Sequence, residues 1–144
     1  MKNWALAGIL TVFLGGCYSL PAALSGGNSE TVKNLDAQTL CVAYYGSIRH
    51  DLPTQHVVEE INRRGLLNKD EWTFVRMQRI YTGMRTCGVY ASLGAPDTQS
   101  PTKDAIEETP APPDRIQLIY QKWSRTWKTI VTIENGFVTH FTDP

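Results

Sequence analysis

The side chains that most resemble a catalytic group are Ser47, His50 and Asp51, a hydroxyl, an imidazole and a carboxylate within five residues. On a helix Ser47 and His50 are near neighbours, because they are three positions apart. A Ser-His-Asp triad, however, is assembled from distant segments and needs an oxyanion hole and an exposed nucleophile turn such as G-x-S-x-G. Since the chain has no such turn, we expect these residues at a solvated helix end.

The remaining polar residues do not have the spacing of a metal or cofactor site. A zinc site needs three or four convergent ligands. The spacing of His50, His56 and His140, relative to one another and to the cysteines, is not that of zinc ligands. The glutamate pairs at 59–60 and 107–108 are adjacent, so their members point to different sides of a helix. We therefore expect no enzymatic activity, no metal or other cofactor and no small-molecule substrate.

The charge of the chain is balanced, with 14 basic and 14 acidic residues. Such a balance gives no reason to expect nucleic acid as a partner. Glu59 and Glu60 precede Arg63 and Arg64 by four residues, which predicts a solvated stripe of weak ion pairs. Five arginines predict either a basic patch for lipid headgroups or a partner, or an ordinary solvated face; they are Arg63, Arg64, Arg76, Arg79 and Arg85.

Cys17 follows a segment typical of an export signal. Residues 1–16 contain a positive residue, Lys2, and then an apolar run too short to span a bilayer. The sequence Leu-Gly-Gly-Cys that ends at Cys17 resembles a bacterial lipobox, in which the cysteine thiol is the nucleophile for thioether attachment of a diacylglycerol group. The resemblance implies a lipid anchor at Cys17, and Tyr18 in place of an inner-membrane retention Asp favours the outer membrane of a Gram-negative cell. The alternative is an ordinary signal peptide that contains a cysteine.

Cys41 and Cys87 are the cysteines that remain once Cys17 is acylated. An export signal places them in an oxidising compartment, where two thiols of a small domain usually form a disulfide. Two buried free thiols and a redox pair are the alternatives, although the chain has no Cys-x-x-Cys motif.

Residues 17–34 are rich in glycine and serine and have no apolar face, so we expect a flexible tether. Residues 35–144 then form one small domain, in which helical spacing of apolar residues begins after a cap at Asp36. A second helix is expected to begin at Thr54 and to end at the C′ glycine Gly65. Asn68 and Glu71 form a capping box that starts a third helix, which we expect to run towards residue 80.

Residues 80–96, IYTGMRTCGVYASLGAP, predict a fourth, short helix with a start signal and a stop signal. Gly83 interrupts the preceding pattern, and Gly94 followed by Pro96 ends the helix. With its Gly-Met and Leu-Gly-x-Pro motifs at this spacing, the segment resembles the BamE (SmpA/OmlA) family of small outer-membrane lipoproteins. In that family a Gly-Met turn opens a helix and a β-meander follows. The family commonly has Ser after Gly-Met; Arg85 stands here, so the cap is expected to shift to Thr86.

A polar, proline-rich stretch at 97–114 predicts a mobile loop, and an antiparallel meander of about three strands follows it. Asn135-Gly136 predicts a type I′ hairpin turn, since both residues tolerate a positive φ. A two-residue turn there pairs Ile133 with Val138 and Val131 with His140. The predicted fold is therefore α+β, with short disulfide-linked helices packed on the meander.

Aromatic and aliphatic residues of the meander are the remaining candidates for a binding surface. The predicted register places Trp127, Val131, Ile133 and Val138 on the face that meets the helices. The candidate partner surface comprises Trp123, in a turn, and three residues on the opposite face, Ile130, Phe137 and Phe141. Trp and Tyr are favoured as interface anchors, although a small domain also uses aromatics in its core.

The family resemblance implies a non-enzymatic binding or scaffolding module for maintenance or assembly of the cell envelope. Such a module would contact the membrane through its lipid anchor and an envelope protein through its folded domain. The alternative is a periplasmic or secreted enzyme inhibitor, because the same helix-meander unit is known in a β-lactamase inhibitor. A third hypothesis, a small hydrolase, would require Ser47 or His50 to meet a distant carboxylate in a pocket.

Overall fold

The computed structural model describes residues 29–101, 115–121 and 128–142. Within them a group of short helices precedes an antiparallel sheet, so the predicted α+β class is confirmed. In chain order the elements are α1 Ser29–Lys33, α2 Ala37–Arg49, α3 Gln55–Arg63, α4 Lys69–Arg76, α5 Thr86–Leu93, β1 Thr98–Pro101, β2 Arg115–Gln121, β3 Lys128–Glu134 and β4 Phe137–Phe141.

The chain enters the domain through two helices that are separated by a cap. Asp36 caps α2 as predicted, because its carboxylate accepts from the backbone N–H of Thr39 at 2.9 Å. The prediction of a tether up to residue 34 is wrong over α1, where Val32 is buried in the core. A helix of five residues is too short for sequence periodicity to reveal, and its stability comes from that burial.

Helices α3 and α4 are bounded by local signals that the sequence contains in full. At Gly65, φ is +62°, and Leu66 N–H donates to the carbonyl of Ile61 at 3.1 Å, which completes a Schellman motif. The capping box at Asn68 and Glu71 is confirmed. Helix α4 ends at Arg76, earlier than predicted. Gln78 adopts a φ of +54°, so this helix also ends in a Schellman motif.

Helix α5 begins differently from the prediction. Arg85, not Thr86, occupies the N-cap position. The Thr86 hydroxyl instead donates to the carbonyl of Gly136 at 2.8 Å, a partner fifty residues away that local sequence does not indicate. Just before it, the N–H of Gly83 and the carbonyl of Met84 bond to the backbone of Val138 at 2.7 and 2.8 Å, so the Gly-Met segment lies along β4.

A disulfide joins Cys41 of α2 to Cys87 of α5, as predicted, with 5.4 Å between the two Cα atoms. That separation lies within the range usual for disulfides. Cys41 is fully buried, so the bond is part of the core and attaches the short helix α5 to α2.

The sheet has the strand order β1-β2-β3-β4, with every neighbouring pair antiparallel. Strand β1 corrects the prediction of a mobile loop at 97–114, since residues 98–101 pair with β2. Asp97 accepts a hydrogen bond of 2.6 Å from the N–H of Gln121 and helps to hold this edge. The pairing joins segments that are distant in sequence, and a proline is compatible with a strand at a sheet edge.

The hairpin between β3 and β4 contains a bulge that the sequence analysis did not predict. Asn135 and Gly136 have φ values of +51° and +82°, which confirms the predicted turn, and Ile133 pairs with Val138. The predicted pairing of Val131 with His140 is wrong, because Val131 pairs with Phe141 and Thr132 pairs with His140. Thr139 is left without a partner in the register, so the alternation of faces reverses after it.

The core lies between the helices and one face of the sheet. Leu40, Ile61 and Met84 are completely buried on the helical side. Sheet residues that face them are Leu118, Val131, Ile133 and Val138, with Ile116, Tyr120 and Phe141 packed against the same cluster. None of the helices in the described segments has the length and apolar character needed to cross a bilayer.

Candidate interaction surfaces

The outer sheet face consists of the side chains that point away from the helices. Because side chains alternate along a strand, the burial of Leu118 and Val131 places Ile119 and Ile130 outward, where the two are directly paired. Phe137 lies on the same face and is 48% exposed. Polar residues surround these three apolar side chains, including the ion pair of Arg115 with Glu134 at 2.8 Å.

Two of the predicted surface residues, Ile130 and Phe137, are therefore on the outer sheet face. The prediction for Phe141 is wrong, since the bulge turns its side chain inward, where it is half-buried against the core. Trp123 lies outside the described residues, as does Cys17 with its predicted lipid anchor, and so does Trp127. Ile119 was missed because its strand was interpreted from the buried positions alone.

The residues considered for nucleophilic catalysis lie at the end of α2. Ser47 is 1% exposed, whereas His50 and Asp51 are solvent-exposed. Asp51 has a φ of +51° in the turn that leads to Pro53. Among the hydrogen bonds of the described residues, none joins these three side chains, and the Ser47 hydroxyl is buried without a partner.

The histidines are dispersed over the surface. His56 Nδ1 lies 3.6 Å from a Glu59 oxygen on the exposed side of α3, and His140 is exposed on β4. Within residues 29–101, 115–121 and 128–142, no three His, Cys, Asp or Glu side chains come together as metal ligands would.

Two carboxylates are buried, which the sequence analysis did not predict. Glu60 was expected on a solvated stripe but is 5% exposed, and it accepts hydrogen bonds from Arg63 and from Arg64, each with a closest approach of 2.6 Å. Arg64 also donates to the carbonyls of Leu35 and Lys33. The bonds from Arg63, then those from Arg64, hold the pKa of Glu60 at about 2, although desolvation opposes them.

Glu71 is the second buried carboxylate and is 1% exposed. Besides completing the capping box, it accepts from the backbone N–H of Arg85 at 2.8 Å and from that guanidinium at 2.6 Å. Burial raises the pKa of Glu71, but the hydrogen bonds from Arg85 and Asn68 outweigh it, so the net pKa is below its usual value. Both carboxylates are saturated with donors that belong to the fold, which makes their role structural.

A shallow cleft of about 110 Å³ opens between α2 and α4, and we call it the α2–α4 cleft. Its lining is mainly aromatic and aliphatic, with a guanidinium and an amide at one side; it comprises Tyr44, Tyr45, Ile48, Val75, Arg76, Gln78 and Ala91. The ring of Tyr44 is fixed by an edge-on contact with Trp72, with 5.2 Å between centroids.

Comparison of the chain with known proteins yields no matching family model, no matching curated protein and no matching solved structure.

Proposed function

We propose that this protein is a non-enzymatic binding or scaffolding lipoprotein of the cell envelope, anchored in a Gram-negative outer membrane through Cys17. The observation that carries the binding role is the outer sheet face, which presents Phe137, 48% exposed, near the hairpin turn and the Ile119–Ile130 pair farther along the strands. A sheet face that exposes several apolar side chains among polar ones is a candidate site for protein association. The partner class is an envelope protein that contributes apolar side chains to this face.

The anchor is supported by the lipobox-like sequence before Cys17. An acyl chain contributes about 0.8 kcal/mol for each buried CH₂, so several chains hold a small domain stably at a membrane. The experiment is Cys17→Ser, which should abolish incorporation of labelled lipid and remove the protein from the outer-membrane fraction. Retention of lipid label in that variant would contradict the anchor.

Site-specific photo-crosslinking in intact cells tests the binding role. A photoreactive residue at position 130 should give a discrete protein adduct, and Phe137→Glu should abolish the adduct while the melting temperature stays unchanged. Thr73→Glu is the matched control, because it adds the same charge at an exposed position on α4. An adduct that survives Phe137→Glu, or that Thr73→Glu abolishes equally, would contradict this use of the outer sheet face.

A further inference from the structure

The arginines of the described chain fall into two groups that differ in whether a carboxylate neutralises them. Arg63, Arg64, Arg85 and Arg115 each pair with a glutamate at 2.6 to 2.8 Å. The other group forms no ion pair within the described residues; it comprises Arg49, Arg76 and Arg79. All three of these side chains belong to solvent-exposed residues.

The α2–α4 cleft has one of these three arginines in its lining, and the other two lie close to lining residues in the chain. Arg76 lines the cleft, Arg49 lies one helical turn after Tyr45 on the same face of α2, and Arg79 follows the lining residue Gln78 in sequence. Burial raises the pKa of the Tyr44 hydroxyl, and the positive charge of the nearby Arg76 opposes that rise. Arg49 and Arg76 lie in the last turns of α2 and α4, where the carbonyl ends of the helices favour cations.

The same region carries exposed apolar surface. Of the large hydrophobic side chains that are exposed in the described segments, Ile48 at 44% lines the cleft, and Met77 at 52% lies in sequence between the lining residues Arg76 and Gln78. The floor is made by the rings of Tyr44 and Tyr45 with Val75. A cleft of about 110 Å³ with a mainly apolar lining accommodates roughly one side chain.

We propose that the α2–α4 cleft is a second binding site, which takes an acidic peptide segment of a partner protein with one apolar anchor residue. The anchor side chain occupies the space between Tyr44, Tyr45 and Val75. Carboxylates that flank the anchor pair with Arg49, Arg76 and Arg79, which have no carboxylate of their own in the described chain. This site is distinct from the outer sheet face, because it is built from helices on the other side of the core.

Fluorescence anisotropy with the full chain tests this proposal, and the probe is a labelled short peptide of glutamate and glycine with one central leucine. It should bind saturably, and binding should weaken on addition of salt. Combined Arg49→Gln, Arg76→Gln and Arg79→Gln substitutions should weaken binding by about tenfold or more, as expected when several charge pairs are lost. Replacing the central leucine of the peptide by alanine should also weaken it by about tenfold.

Lys69→Gln is the matched control, since it removes an exposed cation at the other end of α4 and should leave binding unchanged. A peptide with lysine in place of glutamate should not bind. The proposal is overturned if the acidic peptide does not bind, if Lys69→Gln weakens binding as much as the arginine changes, or if the lysine peptide binds equally well. A second assay measures binding of the Cys17→Ser chain to phosphatidylglycerol vesicles. The proposal is also overturned if the arginine changes abolish this vesicle binding but leave peptide binding intact, because the arginines would then serve a lipid surface.

Discussion

Glu71 connects three parts of the helical region through one carboxylate. Its two oxygens accept from the N-cap backbone of Asn68 and from both the backbone and the side chain of Arg85. Arg85 in turn donates to the carbonyl of Gly65 at 2.7 Å. The end of α3, the start of α4 and the start of α5 are therefore held at a fixed separation by a charged pair whose carboxylate is buried and whose arginine side chain is 32% exposed.

The variant Glu71→Gln should destabilise the protein by about 3 kcal/mol, because it leaves a partly buried guanidinium without its counter-charge. Urea unfolding measures the loss as a lower midpoint with an unchanged slope. Glu59→Gln is the control: its side chain is 60% exposed, so the change should stay within about 0.5 kcal/mol. Equal midpoints for the two variants would contradict the structural role of the Glu71–Arg85 pair.

The depressed pKa of Glu60 predicts how stability depends on pH. The folded state lowers this pKa from 4.5 to about 2, so the unfolded chain binds a proton at a higher pH than the folded one does. The contribution is fully present above pH 4.5 and is lost as the pH falls towards 2, and Glu71 acts in the same direction. Melting temperatures measured across this range should fall less steeply for Glu60→Gln than for the unchanged protein.

At the scale of an element, α5 is packed so closely that one of its positions admits no side chain. A Cβ at Gly88 would lie 2.7 Å from the Cγ of Met84, and Met84 is fully buried. This helix has little polar surface, since five of its eight residues are buried. Its position is fixed by the disulfide and by the Met84 side chain rather than by its own helical stability.

Gly88→Ala should therefore destabilise the protein by about 1–2 kcal/mol, since overpacking outweighs the helical preference for alanine. Gly46→Ala in α2 is the matched control, because no atom lies within 4 Å of the added methyl group. That control should stabilise by about 0.5–1 kcal/mol. Thermal melts of the two variants should shift in opposite directions, and a stabilised Gly88→Ala variant would contradict the packing described for Met84.

The bulge at Thr139 makes a prediction about two phenylalanines of one strand. Phe141→Glu should destabilise by about 2–3 kcal/mol, because it places a charge against the core. Phe137→Glu, which changes an exposed residue, should stay within about 0.5 kcal/mol. Melting temperatures of the two variants measure this difference. In a regular hairpin without the bulge, both phenylalanines would be exposed and the two variants would lose equally little stability.

The parts of the fold that the sequence predicted are those whose signal lies within a few residues. The capping box at Asn68 and the turn at Asn135-Gly136 each specify their own backbone geometry. What it did not predict depends on contacts between distant segments. Phe141 was assigned to the wrong face because one extra residue reverses the alternation, and the burial of Glu71 depends on Arg85, fourteen positions away.

The same distinction applies to the candidate surfaces. Ile130 and Phe137 were predicted for the outer sheet face because the hairpin turn fixes their register. Whether the arginines form a patch is not decided by their positions in the sequence. The structure divides them, because Arg63, Arg64 and Arg85 bind buried carboxylates whose burial no local pattern indicates.

At the scale of the whole molecule, the disulfide between Cys41 and Cys87 is the main covalent constraint on the described fold. The two cysteines are 46 positions apart, and closing a loop of that length contributes about 4 kcal/mol in the chain-entropy account. Reduction should therefore lower the melting temperature by many degrees. The Cys17→Ser chain retains the pair and should respond to reductant in the same way. Two free thiols in the folded, unreduced protein would contradict the bond.

The Cys41–Cys87 bond also determines how tension passes through the molecule. It closes α3 and α4 into a covalent ring, from which the N-terminal segment leaves at one cysteine and the sheet at the other. A pull between the two ends of the domain therefore passes covalently from α2 to α5 through the sulfur atoms, so the chain between the two cysteines cannot be drawn out. Without the bond, those 46 positions would add about 150 Å of extensible chain. The disulfide thus keeps α3 and α4 from being extended when tension is applied between the sheet and the N-terminal segment.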